Sequence, residues 1–121
     1  MDRLSGKIAL VTGAGDGIAG AITEELVKAG VTVYGCDIVV KKVEDMKARL
    51  GKQKGELIPI QCDVSKEEEI KAAFDILKKK SGKIDILVNG AGIWRYGYIS
   101  GKVEEACGKY EAFGFHFEFL L

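Results

Sequence analysis

The change of hydrophobic period across residues 7–29 constrains this chain most. Ile8, Ala9, Leu10 and Val11 form an unbroken apolar run, the mark of a strand covered on both faces. Thr12-Gly13-Ala14-Gly15-Asp16-Gly17 follows, with glycine at alternate positions. From there Ile18, Ala21, Ile22, Leu26 and Ala29 recur three or four apart as a helical stripe, Glu24, Glu25 and Lys28 stay on the wet side, and Gly30 closes the helix in a left-handed turn. A strand that passes through glycines straight into a helix suits few purposes. Glycines let the backbone approach a pyrophosphate, the helix N-terminus offers unpaired N–H groups and a positive dipole end, and a carboxylate about 20 residues on bonds ribose hydroxyls. Asp37, closing the next strand, stands at that distance. The order reads as a nucleotide-binding device.

The alternation continues. Thr32 to Cys36 is a short β-prone run, and Val40, Val43, Met46 and Leu50 then fall at helical spacing until Gly51. Leu57-Ile58-Pro59-Ile60-Gln61-Cys62 predicts a strand in which proline lacks the amide donor of a central ladder, so it belongs at a sheet edge. Ser65 and Glu68 have capping-box spacing, Ile70, Ala73, Phe74 and Leu77 predict a third helix, and Lys78 to Lys80 suit its negative end before Gly82. Ile84 to Asn89 is a fourth strand. Strands and helices alternating at this spacing predict an α/β fold: a Rossmann-type, doubly wound parallel sheet in the order 3-2-1-4, made by right-handed crossovers. In such a sheet the ligand crevice lies outside the carboxyl ends of the strands where the order reverses, between the first and the fourth.

Composition narrows the partners. Eighteen basic and 18 acidic side chains cancel over 121 residues, so no net field draws nucleic acid or an anionic membrane, and a bound anion must be held locally. Cys36, Cys62 and Cys107 form no Cys-x-x-Cys pair and read as reduced core thiols of a cytoplasmic protein. Residues 1–6 hold no apolar signal core and no run of about 18 apolar residues occurs, so neither export nor spanning is expected. His116, the sole histidine, has no partners at metal-ligand spacing.

At Thr12-Gly13-Ala14-Gly15-Asp16-Gly17-Ile18, Asp37, Asp63-Val64 and Leu87-Val88-Asn89-Gly90-Ala91-Gly92 the chain resembles the short-chain dehydrogenase/reductase family, four motifs in the family's order. Its overall look is similar to cytosolic dehydrogenase/reductase members acting on lipophilic alcohols, ketones or steroids. The resemblance implies a dinucleotide cofactor held by Gly13, Gly15, Asp16, Gly17 and Ile18 around the pyrophosphate and neighbouring ribose, and by Asp37 on the adenosine ribose. Asp63 and Val64 would flank the adenine, and Asn89, Ala91 and Gly92 would line the route to the nicotinamide. An acid at residue 37 accepts hydrogen bonds from a 2′-hydroxyl and repels a 2′-phosphate, so NAD is favoured, while Lys41 and Lys42 nearby leave NADP open.

Two departures lie inside the matched stretch. Ala19 stands where the family has its last turn glycine, a small change at a helix–strand packing position. Gly90 replaces the second asparagine before Ala-Gly, which removes a polar side chain and is expected to loosen that turn. The larger departure follows residue 95. The family's catalytic serine, tyrosine and lysine lie on later elements, which the chain is expected to lack, truncated before them. Residues 1–95 then form the NAD(P)-binding domain and 96–121 an atypical tail. Tyr98 and Lys102 have Tyr-x-x-x-Lys spacing, but Gly97 and Gly101 weaken any helix presenting both, and no catalytic residue is assigned. Residues 113–121 alternate aromatic and other side chains, as an added edge strand would, or form a disordered tail.

The expectation is an oxidoreductase transferring hydride between alcohol and carbonyl, represented here mainly by its dinucleotide-binding part, with a lipophilic alcohol or ketone as substrate only if the missing segment is supplied. Two other classes compete. Gly13-Ala14-Gly15-Asp16-Gly17 also reads as the Gly-x-Gly-x-Gly of an S-adenosylmethionine-binding methyltransferase, although Val11 and Thr12 stand where such domains carry an acid. A non-enzymatic isoform pairing with a full-length partner is the third.

Overall fold

A computed structural model describes residues 3–91. Four strands alternate with three helices: β1 (Ile8–Thr12), α1 (Gly17–Lys28), β2 (Thr32–Asp37), α2 (Val40–Leu50), β3 (Glu56–Gln61), α3 (Glu67–Ser81) and β4 (Ile86–Asn89). All strand pairs are parallel and the order is β3-β2-β1-β4, the α/β Rossmann topology the alternation predicts. Pro59 sits on the edge strand β3, opposite Gly35 of β2, where its missing donor faces no further ladder. The expected tail strand, the Tyr98/Lys102 pair, Cys107 and His116 lie outside the described residues.

The period-2 alternation of the strands divides the interior into two layers. Ala9, Val11 and Val33 face α1 and α2, packing on Ala19, Val27, Val43 and Met46. Ile8, Leu10, Tyr34 and Cys36 face the other way onto Ala73 and Leu77 of α3. Helices on both faces explain why β1 is apolar from Ile8 to Val11 and buried throughout. Gly35 lets α2 come close: a Cβ there would lie 2.9 Å from the Val43 side chain.

Three local expectations need correction. The buried face of α1 is Ala19, Gly20, Thr23 and Val27, one position round from the anticipated stripe, and Ile18 is 83% exposed. Small residues let the helix approach the sheet, and Thr23 hides its hydroxyl by donating to the Ala19 carbonyl at 2.8 Å. The capping box of α3 does not form. Ser65 N–H and Oγ both turn back onto Asp63 Oδ1, at 3.0 and 2.6 Å, the helix starts at Glu67 without a side-chain cap, and Glu69 accepts the Asp63 N–H. A local Asx-type turn has taken the serine that would have capped. The ladder of β4 begins at Ile86, because Asp85 bonds the first residue of β1 from both sides: its N–H donates to the Ile8 carbonyl at 2.8 Å and its carboxylate accepts the Ile8 N–H at 2.9 Å. Ile84 is left exposed.

Candidate functional site

The turns that end β1, β2, β3 and β4 surround a single cleft of about 710 Å³ at the carboxyl edge of the sheet. It lies where the strand order reverses, as open α/β sheets require. Gly13, Asp16, Gly17 and Ile18 form one wall, Asp37 and Ile38 a corner, Asp63 and Val64 the side beyond β3, and Asn89, Gly90 and Ala91 the side beyond β4. Gly15 stands behind the lining, and Gly92 lies outside the described residues.

The helix end in this cleft is open. Asp16 occupies the N-cap position of α1 but makes no side-chain cap bond, so the first N–H groups of a twelve-residue helix are left without a side-chain partner. Gly17 enters the helix at φ +64, a conformation that favours glycine, and a Cβ there would meet nothing within 4 Å. Open space above unpaired amides is an anion seat in shape and in polarity.

Asp37 is buried at the corner. Its Oδ2 accepts the Gly15 N–H at 2.9 Å and its Oδ1 the Val39 N–H at 3.0 Å, which fixes the plane of the carboxylate while leaving each oxygen a further lone pair. Gly15 is needed for this approach, since a Cβ on it would come within 2.6 Å of Asp37 Oδ2. Asp63 presents a different picture: the Ser65 hydroxyl and amide hold its carboxyl below the usual carboxylate range, so it stays ionised, already turned towards its own loop.

On the β4 side, Thr12 Oγ1 accepts N–H groups from Gly90 at 3.1 Å and Ala91 at 3.3 Å, tying the end of β1 to the turn after β4. The main chains touch here. A Cβ on Gly13, which has φ +66, would sit 2.8 Å from the Gly90 carbonyl, and a Cβ on Gly90 would collide with the Ala19 methyl and the Thr12 carbonyl. The turn expected to be loosened is therefore tightly packed, and the departures at residues 19 and 90 meet in one place: a side chain root at 90 would need the volume of the Ala19 methyl and would press on the Thr12 carbonyl as well. Neither residue announces this alone, though two small-residue exchanges in one crevice were the available signal. The amide oxygen and nitrogen of Asn89 are buried beside the cleft with no hydrogen-bond partner among the described residues, polar capacity that a ligand can meet.

Sequence reasoning did not anticipate Ile38, Ile22 or Cys62 in the lining. Cys62 and Cys36 are both buried and free. The Cys36 thiol is pushed up by its hydrogen bond with Cys62 and by burial, so it remains protonated packing material and not a nucleophile. Among the described residues no cluster of His, Cys, Asp or Glu can hold a metal ion, and no helix is long and apolar enough to cross a membrane.

The short chain dehydrogenase family profile matches residues 7–110. The chain belongs to that family. Farnesol dehydrogenase of Aedes aegypti is 51% identical over 96 residues, 78% of this chain and 39% of that protein. Dehydrogenase/reductase SDR family member 11 of Gallus gallus is 41% identical over 107 residues, 86% of this chain and 42% of the relative. Among solved structures, a hydroxysteroid dehydrogenase from Escherichia coli superimposes with a TM-score of 0.80 at 33% identity, covering 95% of this chain and 49% of that one. L-sorbose reductase from Gluconobacter frateurii, in complex with NADPH and L-sorbose, gives 0.79 at 29% identity over 93% of this chain and 43% of that one. The chain thus spans less than half the length of these short-chain dehydrogenase relatives. Membership leaves the methyltransferase reading without support.

Proposed function

We propose that the cleft binds a nicotinamide dinucleotide, NAD ahead of NADP, and that the chain supplies the cofactor side of a cytoplasmic short-chain oxidoreductase that interconverts alcohol and carbonyl. The observation that carries this is the convergence on one crevice of an uncapped helix N-terminus, a glycine passage beneath it and a carboxylate held rigid at the corner. The pyrophosphate is assigned to the amides around Gly13, Asp16, Gly17 and Ile18, and the adenosine ribose to Asp37. Val64 packs on the adenine with Asp63 at its polar edge, and Asn89, Ala91 and Gly92 lead to the nicotinamide. Bound there, the nicotinamide supplies a hydride acceptor or donor.

The preference for NAD follows from charge. Asp37 is buried and ringed by N–H donors, so a 2′-phosphate would bring two negative groups together in a corner with little water. No described residue is assigned to proton transfer, and a lipophilic alcohol or ketone as substrate belongs to the oxidoreductase as a whole. Support from relatives is consistent with this: one solved neighbour carries NADPH, and the names of others are those of dehydrogenases.

Calorimetric titration with NAD and NADP, on the parent and on Asp37→Ala, tests the reading. NAD should bind saturably to the parent and about tenfold more weakly to the variant, the loss of roughly 1–2 kcal/mol of charge-assisted hydrogen bonding. NADP should gain relative to NAD. Equal NAD affinity in both proteins removes Asp37 from the site.

A further inference from the structure

Asp16 is in the wrong place for an anion seat unless something restrains it. It holds the N-cap of α1 in extended backbone, φ −158, where an aspartate ordinarily accepts an N–H from the second or third helical residue. Its carboxylate does not do so. Oδ2 instead receives the Lys42 Nζ at 2.6 Å, across a sequence separation of 26 residues. Lys42 rises from the first turn of α2 with its Cβ beside the glycine passage, since a Cβ on Gly15 would lie 2.6 Å from Lys42 Cβ, and the ammonium meets the Asp16 carboxylate at an exposed edge of the cleft. Lys41, its neighbour, is engaged elsewhere, with Asp45 at 3.2 Å on the outer face of α2. Among the described residues Lys42 is the side chain that bonds the Asp16 carboxylate, and the uncapped amides of α1 are the N–H groups that an N-cap aspartate released from it would turn to.

We infer that Lys42 is a positioning residue for the phosphate seat: by holding the Asp16 carboxylate aside, it keeps the α1 N-terminus open for the dinucleotide instead of letting the chain cap it with its own negative charge. This deepens the dinucleotide reading and rests on it. The phosphates concerned are common to NAD and NADP, so the effect falls on both alike. That distinguishes it from a direct grip of Lys42 on a 2′-phosphate, which would move NADP alone.

The test is a mutant cycle on the 121-residue chain, titrated calorimetrically with NAD and with NADP at one ionic strength, with far-UV circular dichroism on each variant. Lys42→Met keeps the stem, drops the charge and should weaken both dinucleotides about five-fold, whereas Lys42→Arg should retain binding. Removing the offending carboxylate, Asp16→Gly, in the Lys42→Met background should restore affinity to within about twofold of Asp16→Gly alone. Independently of ligand, the Ile18 and Ala19 amide resonances should shift on Lys42→Met as the cap forms.

Several results overturn the inference while leaving the dinucleotide reading intact. Parental affinity in Lys42→Met is one, and a loss confined to NADP is another. A double variant as weak as Lys42→Met means that lysine touches the ligand itself, and unmoved amide resonances mean that Asp16 never closes. Absence of any dinucleotide binding by the parent removes the reading and the inference together.

Discussion

The two sides of the cleft are built on different physics. The corner formed by Gly15, Asp16, Asp37 and Lys42 is held by charge: carboxylates aimed by main-chain N–H groups and by one ammonium. The opposite side, where Gly13, Thr12 and Ala19 meet Gly90, is held by contact, with the main chains so close that a single added carbon collides. A charged corner can be retuned by one substitution with little effect on folding, whereas a close-packed joint answers to volume and couples ligand geometry to stability.

The sharpest way to break this contrast is at the joint. Gly90→Ala should destabilise the fold by about 1–3 kcal/mol in urea titration, because its Cβ meets Ala19 and Thr12. Pairing it with Ala19→Gly should recover the part of that loss owed to the Ala19 methyl, a coupling of roughly 1 kcal/mol, while the contact with the Thr12 carbonyl persists; additive losses would show the two sites independent. At the corner, Asp37→Ala should shift binding as described above and leave the urea midpoint closer to the parent than Gly90→Ala does, since it removes hydrogen bonds without creating a clash.

A smaller effect is expected where β4 meets β1. The Ile8 N–H, helped by Lys83, holds the Asp85 carboxyl below the usual range. A depressed folded-state value contributes stability that is present above the ordinary carboxylate value, about 4, and is lost as the pH falls through the lower folded one. Asp85→Asn should therefore flatten the acid limb of the stability curve below about pH 4 and lower stability at neutrality. A curve parallel to the parent's would free β4 from this contact. Smallest of all, Lys41→Ala should change stability by less than about 0.5 kcal/mol, because both partners of the Lys41–Asp45 pair are exposed and screened.

Much of the fold was legible in order and period. The apolar run of β1, the helical spacings of α2 and α3 and the proline of β3 predicted strand order as well as element type, because each reports a burial requirement that local sequence must meet. The buried stripe of α1 departs from its hydrophobic spacing for a reason of the same kind. Ile18 and Ile22, large and apolar, line the cleft, while the helix buries Gly20 and Thr23 against the sheet. Large apolar residues at the front of this helix serve the cleft and not the core. The absent capping box shows the complementary limit: Ser65 had two local partners to choose from, and spacing could not say that Asp63 would win.

Periodicity and turn chemistry act over a few residues, so the order of amino acids alone implies strands and helices alternating into a parallel sheet with glycines and Asp37 at one edge. That Asp16 reaches for Lys42 instead of its own helix, and that Ala19 and Gly90 compete for one volume, follows only from the folded chain. Those pairings join residues 26 and 71 positions apart. Their energies depend on distances that exist only after the sheet has brought the strand ends together, and no local pattern encodes them.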